Sequence, residues 1–347
     1  MHSAESILFG SSVRSCDRRK SRMLDMRALA IALLAVALVQ HGEAQAGQDN
    51  YPSRPIKFVV PFPAGTLTDV VARTVADKIS ARLDQSVLIE NRPGGGGTLG
   101  AKLVASAEPD GYTLLLTNSQ LAIAPAVYKA LPYDTLADFA GVALVAESPS
   151  AVIVSPKMGV RTLPEFIAAA RAQPEAFAYA TAGTGSQTHL AAEYFSSQAE
   201  IKLLHVPYRT TGSIIADMVS GRTHATFAPP GFLLGQIQAG ELLALAVTSR
   251  EGISAPIKAP SVSEAAIPGY EYSTWLGVLA PSRTPARILA LLASALREAI
   301  ESAAVKEKFL QSAVVTRFVQ LKDFDAFVRA DIDKEMQIVK AAGIEAQ

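Results

Sequence analysis

Residues 56–83 read IKFVVPFPAGTLTDVVARTVADKISARL, so that an apolar run, a segment of small residues and a periodic segment follow one another. The apolar run over residues 56–60 predicts a buried strand, and residues 61–68 predict a loop. From Leu67 to Leu83, apolar residues recur at every fourth position, which is the stripe of an amphipathic helix. Strand–loop–helix units of this kind are the building blocks of α/β proteins.

The same alternation of short apolar runs and helical segments continues along the chain. Further strands are predicted over residues 87–89, 112–116, 142–145, 151–154, 177–182, 203–206, 225–228, 243–247 and 275–279. Two intervening helices begin at predicted capping boxes, one from Thr162 to Glu165 and one from Thr184 to Gln187. Two such series in one chain predict two α/β lobes, each a mostly parallel sheet flanked by helices.

The order of the segments also predicts how the two lobes divide the chain. We expect residues 48–147 and 274–347 to form lobe one, and residues 152–270 to form lobe two. The chain then passes between the lobes twice, near residues 147–151 and 270–274. Such a connection is a two-strand hinge, about which lobes can close on each other.

The first 46 residues have a different character. Six basic residues precede or open an apolar run over residues 28–39, and Ala44-Gln45-Ala46 follows it. The run is shorter than the ~20 residues of a membrane-spanning helix. This combination of a basic start, an apolar run and an A-x-A site predicts a secretory signal peptide that is cleaved near Ala46. It hence predicts a periplasmic protein.

Composition narrows the class of protein. The 347 residues are 49% hydrophobic and 18% charged, which indicates a folded chain of about two domains. Equal counts of 32 basic and 32 acidic residues argue against a nucleic-acid partner. Cys16 is the only cysteine, and His189, His205 and His224 lack the spacing of metal ligands. We therefore expect no metal and no cofactor.

Two motifs match catalytic or cofactor-binding patterns only in part. Gly95-x-Gly97-x-x-Gly100 matches a dinucleotide-binding pattern, but several residues separate it from the preceding strand, so a tight glycine turn is preferred. Ser186 and His189 lie on one predicted helical turn and would lack an orienting acid for hydrolysis. We expect no catalytic residues, and a secreted hydrolase using Ser186 or Asp69 remains an alternative.

Two loops rich in small residues each open a predicted helix, one at residues 61–69 and one at residues 180–186. Free backbone N–H groups and the helix dipole favour an anion at such a position. One loop falls in each predicted lobe. The pair therefore predicts a clamp on a carboxylate.

Motifs spread over residues 51–344 resemble those of one family. The matching segments are Tyr51-Pro52-x-Arg54-Pro55-Ile56, Pro61-Phe62-x-Ala64-Gly65-x-x-x-Asp69, Glu90-Asn91-Arg92-Pro93-Gly94, Pro109-Asp110-Gly111-Tyr112, Leu131-Pro132-Tyr133-Asp134, Gly183-x-Gly185-Ser186-x-x-His189, Val206-Pro207-Tyr208-Arg209, Pro268-Gly269-Tyr270-Glu271 and Trp275-x-Gly277-x-x-Ala280-Pro281. In order and coverage they resemble the extracytoplasmic solute receptors of the tripartite tricarboxylate transporter, often called Bug proteins.

The resemblance implies a two-lobed periplasmic binding protein of the type II-like class that closes on a small carboxylate. It implies a set of ligand-binding residues: Phe62, Ala64, Gly65, Thr66, Asp69, Asn118, Ser119, Thr181, Gly183, Gly185, Ser186, His189 and Ala228. We expect Ser186 to donate to the carboxylate, and Asp69 to cap its loop or to contact a ligand hydroxyl, amine or water. The chain departs from the family's usual glycines at Thr66 and Thr210.

The resemblance also implies partners. The receptor would be a monomer that delivers its ligand to membrane transporter subunits through a transient contact. The alternative within the binding class is a receptor that passes its signal to a sensor.

Overall fold

The computed structural model describes residues 51–346, so the predicted signal peptide lies outside the described residues. Their strands are, in chain order, β1 (Ile56–Val60), β2 (Val87–Asn91), β3 (Thr113–Asn118), β4 (Phe139–Pro149), β5 (Ala151–Val154), β6 (Ala178–Thr181), β7 (Leu204–Pro207), β8 (Ala225–Ala228), β9 (Leu243–Val247), β10 (Ser273–Pro281) and β11 (Val315–Gln320). They form one sheet in the order β11–β4–β10–β3–β1–β2 and a second in the order β7–β6–β8–β5–β9. The two sheets identify two lobes.

Helices flank both sheets. In chain order they are α1 (Leu67–Leu83), α2 (Thr98–Ala105), α3 (Gln120–Val127), α4 (Leu163–Ala172), α5 (Gln187–Ala199), α6 (Thr211–Ser220), α7 (Leu234–Gln238), α8 (Val262–Ala265), α9 (Ala286–Glu301), α10 (Ala303–Gln311) and α11 (Leu321–Ala341). Short 3₁₀ turns lie at Gly95–Gly97, Pro156–Met158 and Pro230–Leu233. Across residues 51–346, no helix combines the length and apolar composition needed to cross a bilayer.

The two-lobed α/β architecture is confirmed, but both sheets are mixed rather than mostly parallel. β1 pairs in parallel with β2 and β3, and β6 pairs in parallel with β7 and β8. The remaining strand pairs are antiparallel. The reason is that parallel neighbours need a helical crossover, whereas β4 and β10 carry the chain between the sheets in opposite directions and pair with each other.

The two passages between the sheets lie side by side. β4 ends at Pro149, and Ser150 alone separates it from β5 in the other sheet. Ser273 at the start of β10 pairs with Pro149. The Tyr272 N–H donates to the Thr248 carbonyl, which continues this pairing on the lobe-two side. The backbone therefore connects the sheets through two adjacent segments.

Two helices add a connection that the sequence did not predict. In α11, Phe324, Val328 and Ile332 pack in the lobe-one core, whereas Ile338 and Val339 pack in the lobe-two core. In α3, Leu121 and Ala122 belong to the first core, and Ile123 and Val127 to the second. The two-strand hinge is thus accompanied by two helices that contact both lobes.

Candidate functional site

The carboxyl ends of the parallel strands carry the predicted loops. β1 leads into loop 1 (residues 61–69) and then α1, and β3 leads through Asn118 and Ser119 into α3. In lobe two, β6 leads into loop 2 (residues 181–186) and then α5. Open α/β sheets bind ligands outside the carboxyl ends of their strands.

Asp69 organises loop 1. This buried carboxylate accepts hydrogen bonds from the Gly65 N–H at 2.9 Å, from Asn91 Nδ2 at 2.9 Å and from Arg73 Nε at 3.0 Å. Burial alone would raise the pKa of Asp69, but these hydrogen bonds and the charge of Arg73 outweigh it and hold the pKa below its ordinary value. Asp69 thus stays ionised and caps its loop.

The Thr66 side chain does not cap α1. Its hydroxyl donates to the Pro63 carbonyl at 2.8 Å instead of accepting from the helix. The first-turn N–H groups of α1 therefore receive no side-chain cap. Thr66 has φ −70°, which any residue adopts, so the absence of the family's usual glycine causes no backbone strain.

Other lobe-one residues lie close to loop 1. Asn118 Nδ2 donates to the Thr68 hydroxyl at 3.0 Å, and its Oδ1 accepts from the Gln120 N–H at 3.0 Å. The Phe62 carbonyl accepts from Asn91 Nδ2 at 3.1 Å. Ala64 and Gly65 are exposed, and Ser119 is buried at the N-cap of α3. The hydrogen bond from Asn118 to Thr68 thus connects the start of α3 to loop 1 at the carboxyl ends of β1 and β3.

Loop 2 satisfies most of its polar groups internally. Thr181 is buried, and its Oγ1 accepts from the Gly183 N–H at 3.2 Å. The Gly183 carbonyl accepts from the Ser186 hydroxyl at 2.6 Å, and the Gly185 N–H donates to His189 Nδ1 at 3.1 Å. Gly183 and Gly185 have φ of 118° and 74°, which few other residues tolerate.

Ser186 is the N-cap of α5. Its Oγ accepts from the His189 N–H at 3.3 Å, while its own proton goes to the Gly183 carbonyl. The capping box predicted from Thr184 to Gln187 is wrong, because the left-handed Gly185 lies between Thr184 and the helix. A direct hydrogen bond from Ser186 to a ligand would need its proton to turn away from Gly183.

His189 lies under loop 2 rather than at its surface. The side chain is buried, and its Nδ1 accepts the Gly185 N–H. Burial and the neighbouring His205 lower the pKa of His189 to about 4, so the ring is neutral at pH 7. Ala228 is buried too: it packs in a lobe-two core cluster and pairs with Ala151.

Loop 2 borders a cavity of about 210 Å³ that both lobes line. Its walls are Gly96, Gln120, Val127, Tyr128, Ala182, Thr184, Gly185 and Ser186. Gly185 and Ser186 are the predicted site residues on it. Phe62 does not line the cavity. Its ring lies next to Gly97, the neighbour of the lining residue Gly96, since a Cβ on Gly97 would come within 3.4 Å of that ring. The lining is uncharged, so an anion would be held by dipoles and hydrogen bonds.

Gly96, Gln120 and Tyr128 line the cavity but are not among the site residues predicted from sequence. Gln120 directly follows Asn118 and Ser119, which the sequence does indicate. The start of α3 was therefore the one sequence feature from which Gln120 could have been predicted. Tyr128 reaches the cavity from the other end of α3. No local pattern indicates that approach.

The weaker motifs have structural explanations. Gly94 to Gly97 all have positive φ, and Gly95–Gly97 forms a 3₁₀ turn before α2, as the tight-turn interpretation predicted. Thr210, the second departure from the family pattern, caps α6 by accepting from the Ser213 N–H at 3.3 Å. Within residues 51–346, no group of three or more metal-ligating side chains is found.

Two lobes with a cavity lined from both of them are typical of solute-binding proteins. The sequence profile of the tripartite tricarboxylate transporter family receptors matches residues 71–344, and the chain belongs to that family. It is similar to protein BugT of Bordetella pertussis, with 32% identity over 325 residues that cover 93% of this chain and 98% of BugT.

Solved structures show the same fold. The R. palustris structure with adipate has a TM-score of 0.74 and 30% identity, and it covers 86% of this chain and 100% of that one. MatC from Rhodopseudomonas palustris with bound malate has a TM-score of 0.68 and 26% identity, and it covers 83% of this chain and 100% of MatC.

Proposed function

We propose that this chain captures a small carboxylate-containing metabolite between its lobes and delivers it to the membrane subunits of a tripartite tricarboxylate-type transporter. The observation that carries the proposal is the cavity between loop 2 and α3, which both lobes line with uncharged donors. The start of α1, which the Thr66 side chain does not cap, is a separate position whose N–H groups favour an anion. Neutral donors bind a carboxylate without trapping it, which release to a transporter requires.

The proposal extends to processing and assembly. The signal peptide over residues 1–46 directs export, and the mature monomer begins at Gly47 in the periplasm. By chain segment, lobe one comprises residues 48–147 and 274–347 and lobe two comprises residues 152–270, while α3 and α11 of lobe one also pack against the lobe-two core. The ligand-binding set is the one that the resemblance implies, with Gly96, Gln120 and Tyr128 added. His189 and Ala228 contribute from behind the surface.

Calorimetry on the purified protein tests the ligand class. Adipate and malate are the first probes, because related structures contain them. Adipamide, which has the length of adipate without its charges, is the matched control. We expect a carboxylate to bind and its amide counterpart to bind at least roughly tenfold more weakly, since hydrogen bonds to charged groups are the stronger ones. Equal binding of acid and amide would contradict the proposal, as would no binding in a wider panel of carboxylates.

The hydrolase alternative is not favoured by the geometry. The Ser186 proton is directed to the Gly183 carbonyl, and His189 Nδ1 is taken by the Gly185 N–H, so the two do not form a nucleophile–base pair. Steady turnover of ester or amide substrates that is lost in Ser186→Ala would restore the alternative.

Closure of the lobes is the second test of the receptor function. Small-angle scattering should show a smaller radius of gyration with a saturating carboxylate than without it, because the ligand contacts both walls of the cavity. Adipamide at the same concentration should leave the radius unchanged. A carboxylate that binds in calorimetry without compaction would argue against a clamp.

A further inference from the structure

Loop 2 rests on two stacked histidine rings. His189 of α5 and His205 of β7 lie face to face, with ring centroids 4.0 Å apart and planes inclined by 10°. Tyr179 of β6 stacks on His205 at 5.1 Å. We call His189 and His205 the histidine stack.

Each ring of the stack is linked to one glycine of loop 2. His189 Nδ1 accepts the Gly185 N–H at 3.1 Å. His205 Nε2 lies 2.6 Å from Thr181 Oγ1, and that oxygen accepts the Gly183 N–H at 3.2 Å. Both glycines have positive φ, a conformation that the surroundings must hold because glycine itself is flexible. The stack therefore fixes loop 2 at two points.

Burial favours the uncharged form of the stack, although the Glu193 carboxylate near His189 favours the charged one. Burial lowers the pKa of His205, and burial together with His205 lowers the pKa of His189. Glu193, whose Oε1 lies 3.8 Å from His189 Nε2, accepts a hydrogen bond from the Tyr179 hydroxyl. Since Nδ1 of His189 accepts a hydrogen bond, its proton is on Nε2.

We propose that the histidine stack is a positioning device for the ligand site: its two rings hold Gly183 and Gly185 so that loop 2 keeps the conformation in which it forms one wall of the cavity. The holding of the loop stands on the geometry alone. The consequence for ligand affinity rests on the proposed carboxylate-binding function. His189 and His205 are thus positioning residues, and neither lines the cavity.

Amide hydrogen exchange of the ligand-free full-length chain separates the ring from its hydrogen bond. His189→Phe keeps an aromatic ring but removes the Nδ1 acceptor. His189→Asn removes the ring but places an amide oxygen near the position of Nδ1. We expect exchange at Gly185 to rise roughly tenfold in His189→Phe, which corresponds to a lost hydrogen bond of about 1.4 kcal/mol, and to change little in His189→Asn. Unchanged exchange in the first variant, or equal loss in both, would overturn the proposal.

The wild-type chain provides a readout that does not depend on a variant folding. Nitrogen chemical shifts of ¹⁵N-histidine should show Nδ1 of His189 unprotonated and Nε2 protonated at pH 7. On acidification, the protection of the Gly185 amide, which is the intrinsic exchange rate at the same pH relative to the observed rate, should fall as His189 takes up a proton. The opposite tautomer, or an unchanged protection of Gly185 when His189 titrates, would refute the stack's role.

Binding of adipate and malate, used as probes, tests the consequence for the ligand. With whichever probe binds the wild type, His189→Phe should weaken binding roughly tenfold, and His189→Asn should restore most of the loss. An equal affinity in wild type and His189→Phe would overturn the link between the stack and the site. If neither probe binds the wild type, the proposed ligand class is in question, while the exchange and tautomer measurements still decide on the stack.

Discussion

Gly185 and Gly159 share a backbone conformation but not an environment. Both have φ 74°, yet a Cβ on Gly185 would lie 3.2 Å from Val127 of α3, whereas one on Gly159 would meet nothing within 4 Å. Alanine at either position should cost about 1–2 kcal/mol of stability, because both take a left-handed conformation. The pair separates backbone strain from the contact across the cavity.

We therefore expect Gly185→Ala and Gly159→Ala to lower the melting temperature by similar amounts. Only Gly185→Ala should weaken carboxylate binding, by roughly tenfold or more, since it pushes loop 2 away from Val127. Calorimetry and thermal unfolding on both variants check this. A similar loss of affinity in Gly159→Ala would show that general strain, rather than the cavity wall, controls binding.

Ser186 has a second role that the sequence did not indicate. From sequence, the side chain was expected to donate to a carboxylate, which would make its loss neutral for the unliganded protein. In the structure it caps α5 and ties down the Gly183 carbonyl. Ser186→Ala should therefore cost about 1 kcal/mol of stability, or roughly 2–4 °C in melting temperature.

Thr162→Ala is the matched control for Ser186→Ala, because Thr162 caps α4 in the same lobe. Both variants should lose stability to a similar extent. Only Ser186→Ala should also lose carboxylate affinity. Unchanged stability in Ser186→Ala would mean that its hydroxyl contributes nothing as a cap.

At the scale of single elements, loop 1 and α1 depend on the Asp69 carboxylate. Asparagine at position 69 keeps one acceptor oxygen and turns an N–H₂ group toward donors that include Gly65, Asn91 and Arg73. Asp69→Asn should destabilise the protein by about 2–3 kcal/mol in denaturant unfolding at pH 7. Asp77→Asn, at an exposed position of the same helix, should change stability by less than about 0.5 kcal/mol.

The pH dependence of this effect has a definite sign. The folded pKa of Asp69 lies below its ordinary value of 3.8, so its stabilising contribution is complete above that value and is lost as pH falls through the folded pKa. The difference between wild type and Asp69→Asn should therefore shrink in acid. A constant difference from pH 7 down to pH 3 would contradict this role of the charge.

Most elements follow from local sequence, and the exceptions have physical causes. The Thr162 capping box and the stripe of α1 are present as predicted. β11 was missed because it is a half-exposed edge strand without a buried apolar run. Mixed sheets were missed because strand direction depends on where β4 and β10 cross, which the apolar runs do not show.

The candidate site was predictable in one respect only. Small residues at strand–helix junctions indicated both loops, since that chemistry is local. The cavity wall formed by Gly96, Gln120 and Tyr128 depends on how α3 packs against the other lobe. Contacts between distant segments leave no signature in the sequence around either one.

At the scale of the whole molecule, α11 carries buried acidic side chains where it passes from one core to the other. Asp331 and Glu335 are buried on this helix. Asp331 Oδ2 accepts from the Trp275 indole at 2.7 Å, and its Oδ1 lies 2.7 Å from Lys334 Nζ. The Tyr272 hydroxyl donates to Glu335 at 3.4 Å. Trp275 lies on the crossing strand β10, and Tyr272 directly precedes it. The hydrogen bonds to Asp331 and Glu335 therefore connect α11 to the segment that passes between the lobes.

His189 and Glu335 have opposite effects on how the stability of the protein depends on pH. His189, with its pKa lowered to about 4 by burial and by His205, must gain a proton on unfolding below about pH 6.5, so stability falls as pH drops through that range. Burial, with help from Asp331, raises the pKa of Glu335 to about 8 against the opposing charge of Lys334. Glu335 thus favours the folded state at low pH, and stability falls as pH rises from about 4.5 to 8.

Glu335→Gln removes the titrating carboxyl, and with it the loss of stability between about pH 4.5 and 8, while keeping a neutral group of the same shape next to Tyr272. At pH 5 the variant should be about as stable as the wild type, in which Glu335 is protonated when folded. At pH 8 it should be about 1–3 kcal/mol more stable, because the wild type must then bury a charge or hold a proton. Denaturant unfolding across this pH range measures the difference, and Glu301→Gln, at an exposed position of α9, is the control that should leave the curve unchanged. A Glu335→Gln curve parallel to the wild type would show that this carboxyl does not change its protonation on unfolding.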